Sequence, residues 1–413
     1  MKRKPENIAI TIQQARRIAL NAQLLDGKAK LPKGKEGAAQ VIENLGYIQI
    51  DTLTVIERAH HHTLRTRISN YKPDMLDRLL SKDRRVFEYW GHARSYLPMT
   101  DYRYYLPRMK RLDDPYLKWE KTRLARYGPY LKKVLKRIRD EGPLGPGDFA
   151  PVSGRKKGPW SGSRDPNTSA MELLHLQGDL MISGRRNFER VYDLTERVLP
   201  KSVDTSVPDD DELGRFFVKR ALSAYGIAKE NEIRDHIHAV KKEPLKKAIN
   251  ELVESGEVVV VTIESDPKSV YYALKKQVES GAKLKKASPR VHLLSPFDNF
   301  IIQRDRISGL FGFDYALECY VTPKKRKFGY FAAPILWGEQ FAGKLDPKAD
   351  RKNKTMLIQN LAFEKGFTDF DRFLPQFARK LLDFARFNQC EQISLNTVSP
   401  AKVKREVARA LKE

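Results

Sequence analysis

One order of elements recurs along this chain: helices followed by a strand–turn–strand hairpin. In the first stretch, the periodicity predicts a helix over Ile8 to Leu25, with Ile12, Ala15 and Ala19 near one face. A Gly/Lys/Pro-rich loop, Asp26 to Gly34, ends it. A second helix, Glu36 to Leu45, is stopped by Gly46, and Tyr47-Ile48-Gln49-Ile50-Asp51 alternates as a strand does. Thr52 is placed to cap a helix carrying Val55, Ala59 and Leu64. Pro73 opens another helix, and Arg85 to Leu97 reads as a hairpin. Helices and then a β wing make a winged helix.

The pattern returns twice. Tyr127 to Asp140 and Thr168 to Gln177 are helical, and Asp179 to Leu194 folds as two strands around Ser183-Gly184-Arg185-Arg186-Asn187. Helices at Leu213 to Tyr225, Glu230 to Ile237 and Pro244 to Glu254 precede strands at Glu257 to Glu264 and Ser269 to Leu274. The copies share architecture, not residues. From Arg290 the texture changes to short strands: Val291 to Leu294, Ala316 to Val321, Phe328 to Leu336, Gln340 to Asp346 and Thr355 to Phe363. These predict a small barrel-like β domain, closed by a helix at Asp369 to Asn388 and followed by a short helix, Ala401 to Leu411. The fold class is therefore α+β, with tandem winged helices (helix-turn-helix units) at 1–110, 111–205 and 206–288 and the β domain at 289–413.

Charge points to the partner. Lys plus Arg number 77 against 52 acidic residues, a formal net charge of +25. Such an excess repels itself and suits a polyanion, nucleic acid first. A generally basic proteome, RNA and an anionic membrane surface are the other readings that charge leaves open. No stretch approaches the roughly 20 apolar residues of a membrane helix, and the basic start has no signal-peptide core. Two cysteines, Cys319 and Cys390, form no CxxC or zinc-finger spacing and read as free thiols. The expectation is a soluble, cytoplasmic, nucleoid-associated monomer.

The common catalytic signatures GxSxG, HExxH, GxxxxGK[ST] and GxGxxG are absent from the sequence. The triple His60-His61-His62 is no metal site, because adjacent helical residues point about 100° apart. It reads as a polar helix face. In Ile48-Gln49-Ile50-Asp51, strand alternation puts Gln49 and Asp51 on one side, an amide beside a carboxylate. On these residues alone, an Asp at a strand end most often caps the next helix. Basic turn tips suit phosphate contact: Arg185 and Arg186 at a wing, and the run Lys324 to Lys327, which serves equally as a solvated turn.

Gly46 to Leu53, with Val55, Arg58-Ala59-His60 and Arg67, resembles the YcaQ-like branch of the AlkZ/YcaQ superfamily of winged-helix DNA glycosylases. Tyr89-Trp90-Gly91-His92-Ala93 with Leu97-Pro98-Met99, and Leu294-Ser295-Pro296-Phe297-Asp298 with Leu310 to Tyr315, are similar to further family motifs. So are Gly329-Tyr330, Pro334-Ile335-Leu336 and Gly343 to Arg351. The resemblance implies tandem winged helices around a DNA channel and a Gln-apolar-Gln or Gln-apolar-Asp catalytic motif, here Gln49-Ile50-Asp51. It implies a DNA glycosylase that hydrolyses the N-glycosidic bond of alkylated purines in duplex DNA, monoadducts and interstrand cross-links included, with no metal and no nucleotide cofactor. Asp51 and Gln49 are the catalytic candidates. His92, Lys348 and Arg351 join Arg185 and Arg186 as candidate DNA contacts, while Trp90 is assigned to the core. The competing class is a non-enzymatic winged-helix regulator in which Asp51 is only a cap.

Overall fold

Residues 7–110, 118–150 and 165–412 are described by the computed structural model of this chain. It opens with a strand, β1 (Asn7–Ile10), and a helix, α1 (Ile12–Ala22), so Ile8 lies in a strand and not in the predicted helix. The helix starts at Thr11, whose hydroxyl accepts the Gln14 N–H at 3.2 Å, while the Gln14 side chain accepts the Thr11 N–H at 2.8 Å. This reciprocal cap fixes the boundary after Ile10.

The first unit follows: α2 (Gly34–Leu45), β2 (Ile48–Gln49), α3 (Ala59–Arg67), α4 (Pro73–Ser81), β3 (Val86–Trp90), β4 (Arg94–Pro98) and α5 (Leu106–Lys110), its strands in the order β2-β4-β3. The second holds α6 (Lys118–Glu141), α7 (Pro166–Gln177), β5 (Leu180–Arg186), β6 (Glu189–Leu194) and α8 (Thr195–Val198). The third holds α9 (Asp210–Tyr225), α10 (Glu230–His236), α11 (Lys242–Glu254), β7 (Val258–Ile263), β8 (Asp266–Leu274) and α12 (Lys275–Gly281). A shared detail joins them. In each unit a residue ahead of the hairpin pairs antiparallel with a tyrosine on the second hairpin strand: Ile48 with Tyr96, Leu144 with Tyr192, Ala228 with Tyr272.

β1 pairs in parallel with β7, Asn7 opposite Val260 and Ile10 opposite Ile263. The start of the chain therefore pairs with the third unit, although the 1–110 boundary groups it with the first, which it also meets through Asn44 to Ala22 O and Arg67 to Gln23 O. Ile10, Ala15 and Ile18 share a core with Val261, Tyr271 and Phe300. The first two units also share one core, in which Ile42, Leu45 and Leu79 meet Met171, Leu180 and Ile182.

The last part contains β9 (Val291–Leu293), α13 (Arg304–Phe311), β10 (Ala333–Trp337), β11 (Gln340–Asp350), β12 (Thr355–Phe363), α14 (Phe370–Phe387), β13 (Gln392–Ser399) and α15 (Lys404–Ala410). Its sheet has the order β13-β12-β11-β10-β9, with the two edge strands unpaired to each other, so the predicted barrel is an open sheet. The reason is β13, absent from the sequence reading: it joins β12 in parallel, and α14 makes the crossover that a parallel pair requires. Phe373, Phe377, Leu381 and Phe384 of α14 enter the core against Leu345, Ile358 and Leu361, the closing role predicted for that helix. Ala316 to Val321 is not a strand, because Glu318 turns inward and its carboxylate accepts the N–H groups of Lys327, Phe328 and Gly329 at 2.8–3.0 Å.

Candidate active site

β2 ends at Gln49, and one further bond, Ile50 N–H to the Arg94 carbonyl at 2.8 Å, holds the chain before it leaves the sheet. Strand alternation therefore does not place Asp51. A turn does: Asp51 Oδ2 accepts the Leu53 N–H at 3.1 Å. No helix begins there. α3 starts at Ala59, after Arg58, with no side-chain cap, so Thr52 and Asp51 cap no helix.

The segment from Asp51 to Arg58 is irregular yet pinned. Val55 O accepts the Ala349 N–H at 2.8 Å, Arg351 Nη1 donates to Thr54 O at 3.1 Å, and Glu57 N–H donates to Asn388 Oδ1 at 2.6 Å. Ile56 and Ala59 are buried in the core of the C-terminal sheet. A loop of the first unit thus lies on β11 and the end of α14. Such tethering lets an irregular segment hold a side chain in one place.

Asp51 is 8 % exposed. Burial raises its carboxyl above the ordinary 3.8, against the opposing pull of the Thr52 and Leu53 N–H groups and the Arg58 guanidinium. The Gln49 amide oxygen is buried and accepts no hydrogen bond among the described residues. Buried acceptors are nearly always satisfied, so this one is open to a water or another incoming donor.

Thr52 to Val55 form one wall of a cleft of about 550 Å³. Tyr330, Asp346, Lys348 and Gln359 face it. The opposite wall is set by a glycine: at Gly329, φ is 148° and an added Cβ would stand 1.9 Å from Asp346 Oδ2. That carboxylate can then accept the Tyr330 and Phe331 N–H groups at 3.2 and 2.8 Å. Lys348 is exposed at the cleft. Lys348 and Arg351 are thus brought to the Asp51 segment, Arg351 partly committed to the Thr54 carbonyl.

Other predicted residues fall elsewhere. His92 is half-buried against the third unit: its Nδ1–H donates to Asp235 O at 2.8 Å, and its ring stacks on Tyr47 at 6.0 Å. Burial lowers its imidazole below 6.5. Arg185 is not a free wing-tip cation. Its side chain is 6 % exposed and donates to Glu88 Oε2 at 2.5 Å and to Phe188 O at 2.6 Å. Arg190 Nε reaches the other Glu88 oxygen at 2.5 Å. Burial pushes the Glu88 carboxyl up, but Arg190, Arg185 and Arg94 outweigh it and hold the group at about 2. A phosphate could reach Arg185 only by breaking this cluster. Arg186 is 53 % exposed and paired with Asp148.

The histidine triple is buried, not a polar face. His61 Nδ1 pairs with Tyr71 Oη at 2.7 Å, His62 Nε2–H donates to Leu293 O at 2.8 Å, and His60 stacks on Phe188 at 6.0 Å. Burial, joined by Arg58 and Arg185, lowers His61 to about 3. Burial lowers His62 to about 4. Among the described residues no group of three His, Cys, Asp or Glu side chains is arranged to hold a metal ion, and no helix is long and apolar enough to cross a membrane. Two residues given no role at this site from sequence lie near it: Arg58, whose guanidinium lies 3.8 Å over the Phe188 ring, and Cys319, buried with Ile56 and Phe331.

A family model described as DNA glycosylase AlkZ-like matches residues 42–387. The chain is also similar to the solved structure of Streptomyces sahachiroi DNA glycosylase AlkZ, with a TM-score of 0.62 and 14 % identity, over 95 % of this chain and 100 % of that one. At that identity the likeness is one of fold, a mixed α+β architecture.

Proposed function

The chain belongs to the AlkZ-like DNA glycosylase family and is a DNA repair glycosylase, and from that premise we propose that it hydrolyses the N-glycosidic bond of alkylated purines in duplex DNA with Asp51 and Gln49 as its catalytic pair. The observation that carries the reading is Asp51 itself: a buried carboxylate, fixed by a turn and capping no helix, directly ahead of Thr52 to Val55, which wall a cleft.

Alkylation at N7 of guanine makes the base cationic, so it departs as a neutral molecule and asks little of a general acid. Charge builds instead on the sugar, as an oxocarbenium ion. A carboxylate beside C1′ stabilises that charge and takes the proton of the attacking water. Asp51 fills this role, and its raised affinity for a proton makes it the better base. The uncommitted Gln49 oxygen accepts from the same water or from the sugar. Water is the nucleophile, so the enzyme is monofunctional, with no metal or nucleotide cofactor.

The three units are read as winged helices. Their shared order of helices and hairpin, each with the extra strand contact to a hairpin tyrosine, supports this. The same reading sets units at 1–110, its opening strand lent to the third unit's sheet, 111–205 and 206–288 before the β domain at 289–413, in a monomer whose +25 charge faces DNA. Gln49-Ile50-Asp51 supports assignment to the YcaQ-like branch, with N7-alkylguanine monoadducts and interstrand cross-links as the proposed substrates. Lys348 and Arg186 contact phosphate. The test is single-turnover release of N7-methylguanine from a defined duplex, wild type against Asp51→Asn. Equal rates in a folded, DNA-binding variant would remove the assignment.

A further inference from the structure

Tyr320 is 79 % exposed, and only Val207 and Val270 accompany it as large exposed apolar side chains among the described residues. It stands on a rigid mount. Val321 N–H donates to Glu318 O at 2.9 Å, Arg326 Nε donates to Val321 O at 2.8 Å, and Glu318 gathers the three N–H groups of the facing segment. The neighbouring Cys319 is buried in one core with Ile56 of the Asp51 segment. Tyr330, which follows that facing segment, lines the cleft beside Thr52 to Val55 and carries the Arg326 guanidinium 4.8 Å over its ring. Burial raises the Cys319 thiol and the Asp51 carboxylate raises it further; the Tyr320 hydroxyl is raised by burial first, then by Cys319, then by Asp51. Lys324, Lys325, Arg326 and Lys327 follow the tip in sequence.

An aromatic ring in water costs free energy unless something covers it. A ring on a pinned turn, whose neighbour Cys319 packs with Ile56 of the Asp51 segment and which cations that suit phosphates follow in sequence, has the chemistry of a stacking platform for single bases. We propose that Tyr320 stacks on the nucleobase flanking the one to be excised and so holds the duplex in register over Asp51. Tyr320 is then a positioning residue, acting through the DNA and not on the glycosidic bond. The inference rests on the glycosylase reading above for the meaning of "excised", but stacking itself can be measured without excision.

The experiment uses the full chain and a duplex with 5-iodouracil beside N7-methylguanine, on either side in turn. Irradiation joins iodouracil to an aromatic ring stacked upon it, and the joined residue is identified by mass spectrometry. Wild type and Tyr320→Phe should cross-link at position 320, and Tyr320→Ala should not. In single-turnover excision, Tyr320→Ala should raise the half-saturating enzyme concentration about tenfold, the scale of one lost base–ring stack, with the maximal rate within about threefold and Tyr320→Phe near wild type. Unchanged melting temperatures exclude a structural cause. No cross-link at 320 from either side, or a Tyr320→Ala variant with wild-type half-saturation, overturns the proposal while leaving the glycosylase reading intact. Wild-type protein that cross-links through Tyr320 yet excises nothing would instead sink the substrate assignment and keep the stacking.

Discussion

The Ala349 N–H donates to the Val55 carbonyl at 2.8 Å, joining the segment that carries Asp51 to the strand that carries Lys348. Two parts of the chain far apart in sequence therefore share one cleft. Neither the first unit nor the C-terminal sheet holds the site alone.

Asp51→Asn keeps the size and much of the turn-forming capacity of the side chain and removes its charge. Single-turnover excision should fall roughly a hundredfold or more, the scale of one lost electrostatic group, with duplex affinity and melting temperature nearly unchanged. The wild-type rate should also fall toward acid along one limb. The active form is ionised and burial raises the carboxyl, so the limb's midpoint lies above 3.8. A midpoint at or below that value would separate the limb from Asp51.

Gln49→Ala should lower the maximal rate by roughly fivefold, since it removes one neutral hydrogen-bond partner. Because the native amide oxygen has no donor among the described residues, melting temperature should hold or rise slightly. A large loss of stability would show the amide to be structural.

Lys348→Ala and Arg186→Ala should each weaken binding to damaged and undamaged duplex alike, and each should reduce the slope of log affinity against log salt by about one. An unaltered slope would show that these cations meet no phosphate.

Glu88→Gln should destabilise the fold by about 3–5 kcal/mol, because it removes the carboxylate that Arg94, Arg185 and Arg190 share and leaves Glu172, 3.7 Å from Arg190, beside them. The sign of the pH dependence follows. The folded carboxyl is depressed to about 2 from an ordinary 4.5, so its contribution is complete above about 4.5 and is lost as pH falls toward 2. Wild type minus Glu88→Gln stability, from urea unfolding between pH 7 and 3, should shrink across that window.

Excision should survive EDTA, and also thiol-directed reagents at neutral pH, because Cys319 and Cys390 are buried and burial raises both thiols above 9.0. Rapid inactivation at pH 7, blocked by Cys319→Ser, would show Cys319 to be accessible beside Asp51.

The longer helices were legible because their signals are local: apolar spacing along α9 and α11, Pro73 at a first turn, Gly46 with φ 79° at a last one; the short α5, α8, α12 and α13 were not. Gln49 and Asp51 stood out as polar residues in an apolar, strand-like run. What stayed hidden depends on distant partners. β1 and β13 form only against strands supplied from elsewhere. Arg185 reads as a wing-tip cation until Glu88 turns inward from the first unit's hairpin. The Glu in Val86-Phe87-Glu88-Tyr89-Trp90 was the available clue, since a carboxylate in a buried strand needs a cation. Tyr320 gave no signal, because exposure is not written in spacing.

The β1–β7 pairing sets a timetable for a chain made from its N-terminus. Asn7 to Ile10 leave the ribosome early, but their hydrogen-bonding partners, Val260 to Ile263, are translated after both intervening units. Until then the strand is an open edge and α1 has no Val261 or Tyr271 to pack against. The middle of the protein can thus mature first. A nascent chain released before residue 263 would carry an unpaired β1 at its front.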